Sequence, residues 1–144
     1  MVRFPFVLLL AALLGGCSHP PPRGLVQYLH QVEPYQQSLS TLLTDMKSIP
    51  QRAPSERLGA AKQLMGEIRE RKSSLQAVLA PPAGSRMQSC LVDLYSTLES
   101  YTAAVTNSTG DPRDPRLRQL SLQWTRQIEV ANKELDNLSR AVGH

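Results

Sequence analysis

Cysteine, histidine and paired carboxylates perform most enzymatic and metal chemistry, so their spacing is the first thing to read in these 144 residues. The histidines are His19, His30 and His144, and only His30 has a carboxylate at helical spacing, Glu33. Two groups do not make a metal site. Glu67 and Glu70 stand three apart, as an acid–base pair could, but Arg69, Arg71 and Lys72 surround them. That mixture reads as a solvated ion-pair face of a helix. The sequence has no Glu-x-x-His step, no Cys-x-x-Cys-His, no Gly-x-Ser-x-Gly and no glycine-rich phosphate or dinucleotide loop. The reading is therefore a non-enzymatic protein with no cofactor and no metal. Two cysteines, Cys17 and Cys90, remain as reactive candidates.

Cys17 takes its meaning from what precedes it, MVRFPFVLLLAALLGG. Arg3 is followed by an apolar run of 11 residues, Phe4 to Leu14. As a helix that run spans roughly 16 Å, against about 30 Å for a bilayer core. It is too short to cross a membrane, and a charged start, a short apolar core and a small-residue end describe a secretory signal. Leu14-Gly15-Gly16-Cys17 then resembles the lipobox of bacterial lipoproteins: an aliphatic residue, two small ones and a cysteine. Gly15 stands where alanine or serine is commoner. The resemblance implies that the Cys17 thiol carries a diacylglyceryl group, that the signal is cut before it, and that the new amine is acylated, for instance with palmitate. The covalent lipid replaces any bound cofactor. Two or more acyl chains hold a protein firmly on a membrane without spanning it. Ser18 after the cysteine implies, by the same resemblance, the outer membrane of a Gram-negative envelope; otherwise the outer face of the cytoplasmic membrane is expected.

The expected organisation is a signal peptide at 1–16, a tether at 17–24 and one domain at 25–144. The tether, Ser18-His19-Pro20-Pro21-Pro22-Arg23-Gly24, favours extended polyproline geometry and reaches roughly 20 Å. After processing, the chain from Cys17 has 15 basic and 12 acidic side chains, a net charge of about +3. That excess suits a membrane surface or an acidic protein partner and is too small and dispersed for nucleic acid.

Four amphipathic segments follow. From 25 to 49, Tyr28, Val32, Tyr35, Leu39, Leu42, Met46 and Ile49 step by four and three along one helical face. Pro34 interrupts this stripe and predicts a kink or a restart near Glu33. From 55 to 79, with Ser55 as expected cap, Leu58, Ala61, Met65, Ile68, Leu75 and Leu79 follow the same steps. Lys72 fills the missing place, its stem on the core and its ammonium reaching water. From 85 to 107 the stripe is Met87, Leu91, Leu94, Leu98, Tyr101 and Val105. The fourth segment starts with Asp114 as cap and Pro115 in the first turn. Its stripe is Leu117, Leu120, Trp124, Ile128, Ala131, Leu135, Leu138 and Val142. With no alternating run for a strand, the expected fold is all-α: an antiparallel up-down-up-down four-helix bundle with a kinked first helix.

That topology would gather Arg52, Arg57, Arg113, Arg116 and Arg118 at the end remote from the lipid, with Glu56, Asp111 and Asp114. Arginine near a helix start opposes the helix dipole, so stability does not explain the set; it is a possible docking surface for an acidic partner. Cys90, with Cys17 lipidated, has no partner for an internal disulfide and is either a buried inert thiol or a reactive one. Trp124 reads as core. In size and plan, though by no motif, such a molecule is similar to the helical pilotin lipoproteins that guide secretin subunits; Cys90 alone departs from the paired cysteine many of them carry. The leading expectation is thus an anchored interaction or accessory module of an envelope assembly, with a homo-oligomer left open. The alternative is a carrier of a small hydrophobic ligand or lipid, held near Tyr28, Tyr35, Tyr101 and Trp124.

Overall fold

A computed structural model describes residues 23–108, 111 and 113–143 of the chain. The signal segment, Cys17, His19, the prolines of the tether and His144 lie outside the described residues. Four helices carry the fold: α1 (Leu25–Ser48), α2 (Pro54–Ala77), α3 (Ser85–Asn107) and α4 (Pro115–Gly143). Short 3-10 turns at Ile49–Gln51 and Pro82–Gly84 complete the first two connections. The described secondary structure is entirely helical, as the periodicity predicts.

Each boundary has a local cause. Gly24 precedes α1 in the left-handed region at φ 76°, open to glycine at no steric cost, and its carbonyl accepts the Tyr28 N–H at 2.9 Å. Helix α1 runs through Pro34, whose missing N–H deprives the His30 carbonyl of its intrahelical donor. Helix α4 starts as expected: Asp114 Oδ1 accepts the Arg116 N–H at 2.8 Å, and the Asp114 carbonyl accepts the Arg118 N–H at 3.0 Å.

Helix α2 differs from the sequence reading at both ends. It begins at Pro54, not after a Ser55 cap; Ala53 is the flanking residue and its carbonyl accepts the Glu56 N–H at 2.9 Å. Proline at the first helical position lacks only an N–H that would have gone unused. The helix stops at Ala77, where Val78 turns extended at ψ 125°, so Leu79 leaves the helical phase and is 90% exposed. Leu58, also assigned to the core, is 56% exposed. Ten residues before Ile68, it sits about 80° off that side chain around the helix. Leu64 takes its place inside, at 6% exposure.

The core runs through all four helices, and α3 is its centre. It packs against α1, α2 and α4, whereas α4 comes close along its length only to α3. This explains why α3 buries more than its predicted stripe: Tyr95, Thr97, Thr102 and Ala104 are also inside. Among the described residues no helix is long and apolar enough to cross a membrane.

Candidate functional site

The five arginines singled out by sequence lie on two corners. Arg52 follows the first 3-10 turn and Arg57 lies in the opening turns of α2; its Nε donates to the Arg52 carbonyl at 3.0 Å. Arg113 lies between α3 and α4, and Arg116 and Arg118 occupy the first turn of α4. Arg57 is half-buried and the other four are exposed. None makes an ion pair among the described residues. The neighbouring carboxylates serve the backbone instead: Asp111 Oδ1 accepts the Arg113 N–H at 2.8 Å, and Asp114 caps α4. The corners at 50–58 and 111–118 therefore offer guanidinium groups, with Asp111 and Asp114 occupied by backbone N–H groups and Glu56 exposed.

The corner between α2 and α3 is built differently. Tyr28, 1% exposed, donates its hydroxyl to Gln88 Oε1 at 2.9 Å. The Gln88 amide in turn donates to the carbonyls of Leu75 and Val78, the latter at 3.2 Å. One glutamine thus satisfies the frayed end of α2 and ties it to α1 and α3. Gly84 closes the corner against the Tyr28 ring: a Cβ there would lie 2.7 Å from Cε1 and 2.8 Å from Cδ1. Desolvation holds the Tyr28 phenol protonated, its pKa well above the ordinary range.

Between these corners two polar contacts cross the bundle. Tyr95 donates to the Tyr35 carbonyl at 2.7 Å and meets Ser38 Oγ at 3.0 Å, beside Pro34. Burial raises the Tyr95 pKa, while the Ser38 hydrogen bond and the nearby Arg71 charge oppose the rise. Glu99 accepts from Arg69 at 2.6 Å and from Lys72 at 2.8 Å, and these hydrogen bonds, that from Lys72 above all, hold its carboxyl below the usual range. The Lys72 ammonium is therefore engaged by Glu99, not given up to water alone. Sequence reading misses Glu99 because its partners lie 27 and 30 residues away on another helix.

The chemical candidates do not converge. Cys90 is half-buried beside α4; burial, then Glu134 and Asp93, push its thiol pKa up, which disfavours the nucleophilic thiolate. His30 is exposed, and Glu67 and Glu70 line an open cleft of about 450 Å³ with Gln31, Pro34, Tyr35, Arg71 and Ser74. Of the aromatic residues expected to line a ligand cavity, only Tyr35 reaches this cleft. Tyr28 and Trp124 are packed inside, and Tyr101 is half-buried. Trp124 Nε1 and Gln127 Oε1 are buried without a hydrogen-bond partner among the described residues. Among those residues no three His, Cys, Asp or Glu side chains are grouped to hold a metal ion. No known protein family matches this chain, and neither do the curated proteins or the solved structures with which it was compared.

Proposed function

We propose that this protein is a lipid-anchored, non-enzymatic interaction module of the bacterial cell envelope, held by acylated Cys17 and docking an acidic partner protein through its arginine-bearing end. The observation that carries the reading is the set Arg52, Arg57, Arg113, Arg116 and Arg118, five cations without an ionic partner among the described residues. Two of them, Arg116 and Arg118, oppose the dipole of α4, an arrangement that costs stability unless an anion arrives.

The order of the cross-helix contacts supports an alternating course. Tyr28 meets Gln88 and Ser38 meets Tyr95, so α1 and α3 run in the same sense. Gln88 meets Leu75 while Glu99 meets Arg69, and Arg86 meets Glu134 while Thr97 meets Gln123, so α2 and α4 run against α3. Both arginine corners then share one end, opposite the start of α1 and the tether. Pro34, deprived of its N–H, favours a bend in α1 at His30. The lipobox resemblance and Ser18 favour the periplasmic face of an outer membrane.

Crosslinking in the native envelope tests the docking end. A photoreactive residue in place of Arg113 or Arg52 should capture one discrete protein, and Arg113→Glu with Arg116→Glu should abolish that capture while helicity is unchanged. Capture that survives charge reversal, or no discrete product from either position, would refute the arginine interface.

A further inference from the structure

We infer that the corner between α2 and α3 is a second, non-covalent membrane contact, in which Leu79 enters the interfacial layer of the bilayer that receives the lipid of Cys17. The inference rests on the anchor reading for its membrane, and on the corner itself for its geometry. Among the described residues Leu79 is the most exposed of the large apolar side chains, at 90%. It is not on a loose loop: the carbonyl of the preceding Val78 accepts the Gln88 amide at 3.2 Å, and Gln88 is pinned by Tyr28 at 2.9 Å. A rigid corner that presents leucine to solvent forgoes burial its own core could have supplied, and an external apolar phase restores it.

The surroundings match such a phase. From Ser73 to Val92 the only charged residue is Arg86, so this corner approaches lipid with little charge to desolvate. Arg23 and Arg86 are exposed on its flanks, where guanidinium groups meet lipid phosphates. Of the acids around it, Glu134 already faces Arg86 at 3.6 Å, while Glu70 on α2 and Asp93 on α3 lie outside the stretch from Ser73 to Val92.

The chain length sets the distance. Gly24 lies one turn before Tyr28, so the polypeptide departs towards Cys17 from this same corner. Six steps of chain separate Cys17 from Arg23, a span of at most roughly 20 Å. A lipid fixed in a bilayer through so short a link keeps this corner at the headgroups.

Depth-dependent fluorescence quenching tests it. Protein extracted from membranes is reconstituted into phosphatidylethanolamine–phosphatidylglycerol vesicles with brominated acyl chains. Leu79→Trp and Leu122→Trp each change an exposed leucine, and buried Trp124 supplies the same background to both. The expected result is blue-shifted emission from the Leu79→Trp variant, quenched several-fold more strongly than that of Leu122→Trp. Equal quenching of the two variants would overturn the inference. Intact mass of the same preparation reports acylation of Cys17 independently. A bare Cys17 with strong quenching in Leu79→Trp would remove the anchor and keep the corner; an acylated Cys17 with no quenching in that variant would do the reverse.

Discussion

The corner between α2 and α3 and the arginine-bearing pair of corners, 50–58 and 111–118, solve opposite problems with opposite residues. The first joins three helices through Tyr28, Gln88 and Gly84, carries one charge in twenty residues, and turns Leu79 outward. The second has caps made within a few residues, such as Asp111 to Arg113 and Asp114 to Arg116, and leaves five arginines without ionic partners among the described residues. The first is held by long-range packing, the second by local hydrogen bonds. A surface beside a bilayer benefits from low charge and fixed shape, whereas a surface that meets an acidic protein benefits from charge that its own fold does not consume.

The comparison can be broken most forcefully at Tyr28. Tyr28→Ala should cost about 3–5 kcal/mol by removing a buried ring and its hold on Gln88, read from urea unfolding. A loss near 1 kcal/mol would mean that this corner is no better fastened than the other. Gly84→Ala pushes a methyl into the same ring and should cost about 1–3 kcal/mol. Gly66→Ala has nothing within 4 Å of its new Cβ, and as a helical glycine should instead add about 0.5–1 kcal/mol. At the other corner, Asp114→Ala should cost about 1 kcal/mol, the worth of a local cap, with no change in contacts elsewhere by NMR.

The smallest effect lies between the corners. Glu99 is partly exposed and shared by two cations, so screened by solvent its pairing is worth about 0.5–1 kcal/mol. Its carboxyl pKa is depressed on folding, so this contribution is fully present above the ordinary glutamate value of about 4.3 and is lost as pH falls through the depressed value. Glu99→Gln should flatten that part of the acid stability profile and leave neutral stability within about 1 kcal/mol.

Sequence periodicity locates three helix stripes almost completely, because a period of four and three residues reports burial on one face wherever a helix is straight and regular. Its errors fall on α2. Leu79 looks like core because periodicity extrapolates a helix past its end, although Pro81, four residues after Ala77, can neither donate to the Ala77 carbonyl nor let Ala80 stay helical. Leu58 fails for the related reason that small phase deviations accumulate along a helix. In α3 the stripe is right but too narrow: Tyr95 and Thr102 are buried because other helices cover their faces, which no local pattern reports. Likewise the arginines of the docking candidate are legible as residues, but their lack of ionic partners is not, since pairing depends on what other elements bring within reach.

The amino-acid order alone determined that this chain forms helices, where most of them begin, and which side chains supply the core, because propensity, capping and apolar spacing act over a few residues. It also supplied the stretch Leu14-Gly15-Gly16-Cys17, whose resemblance to a lipobox underlies the proposed anchor. Only the tertiary structure decided that α3 stands at the centre, that Gln88 fastens the end of α2, and that Leu79 faces outward. Each of those depends on groups distant in sequence meeting in space, and such meetings are selected by packing as a whole.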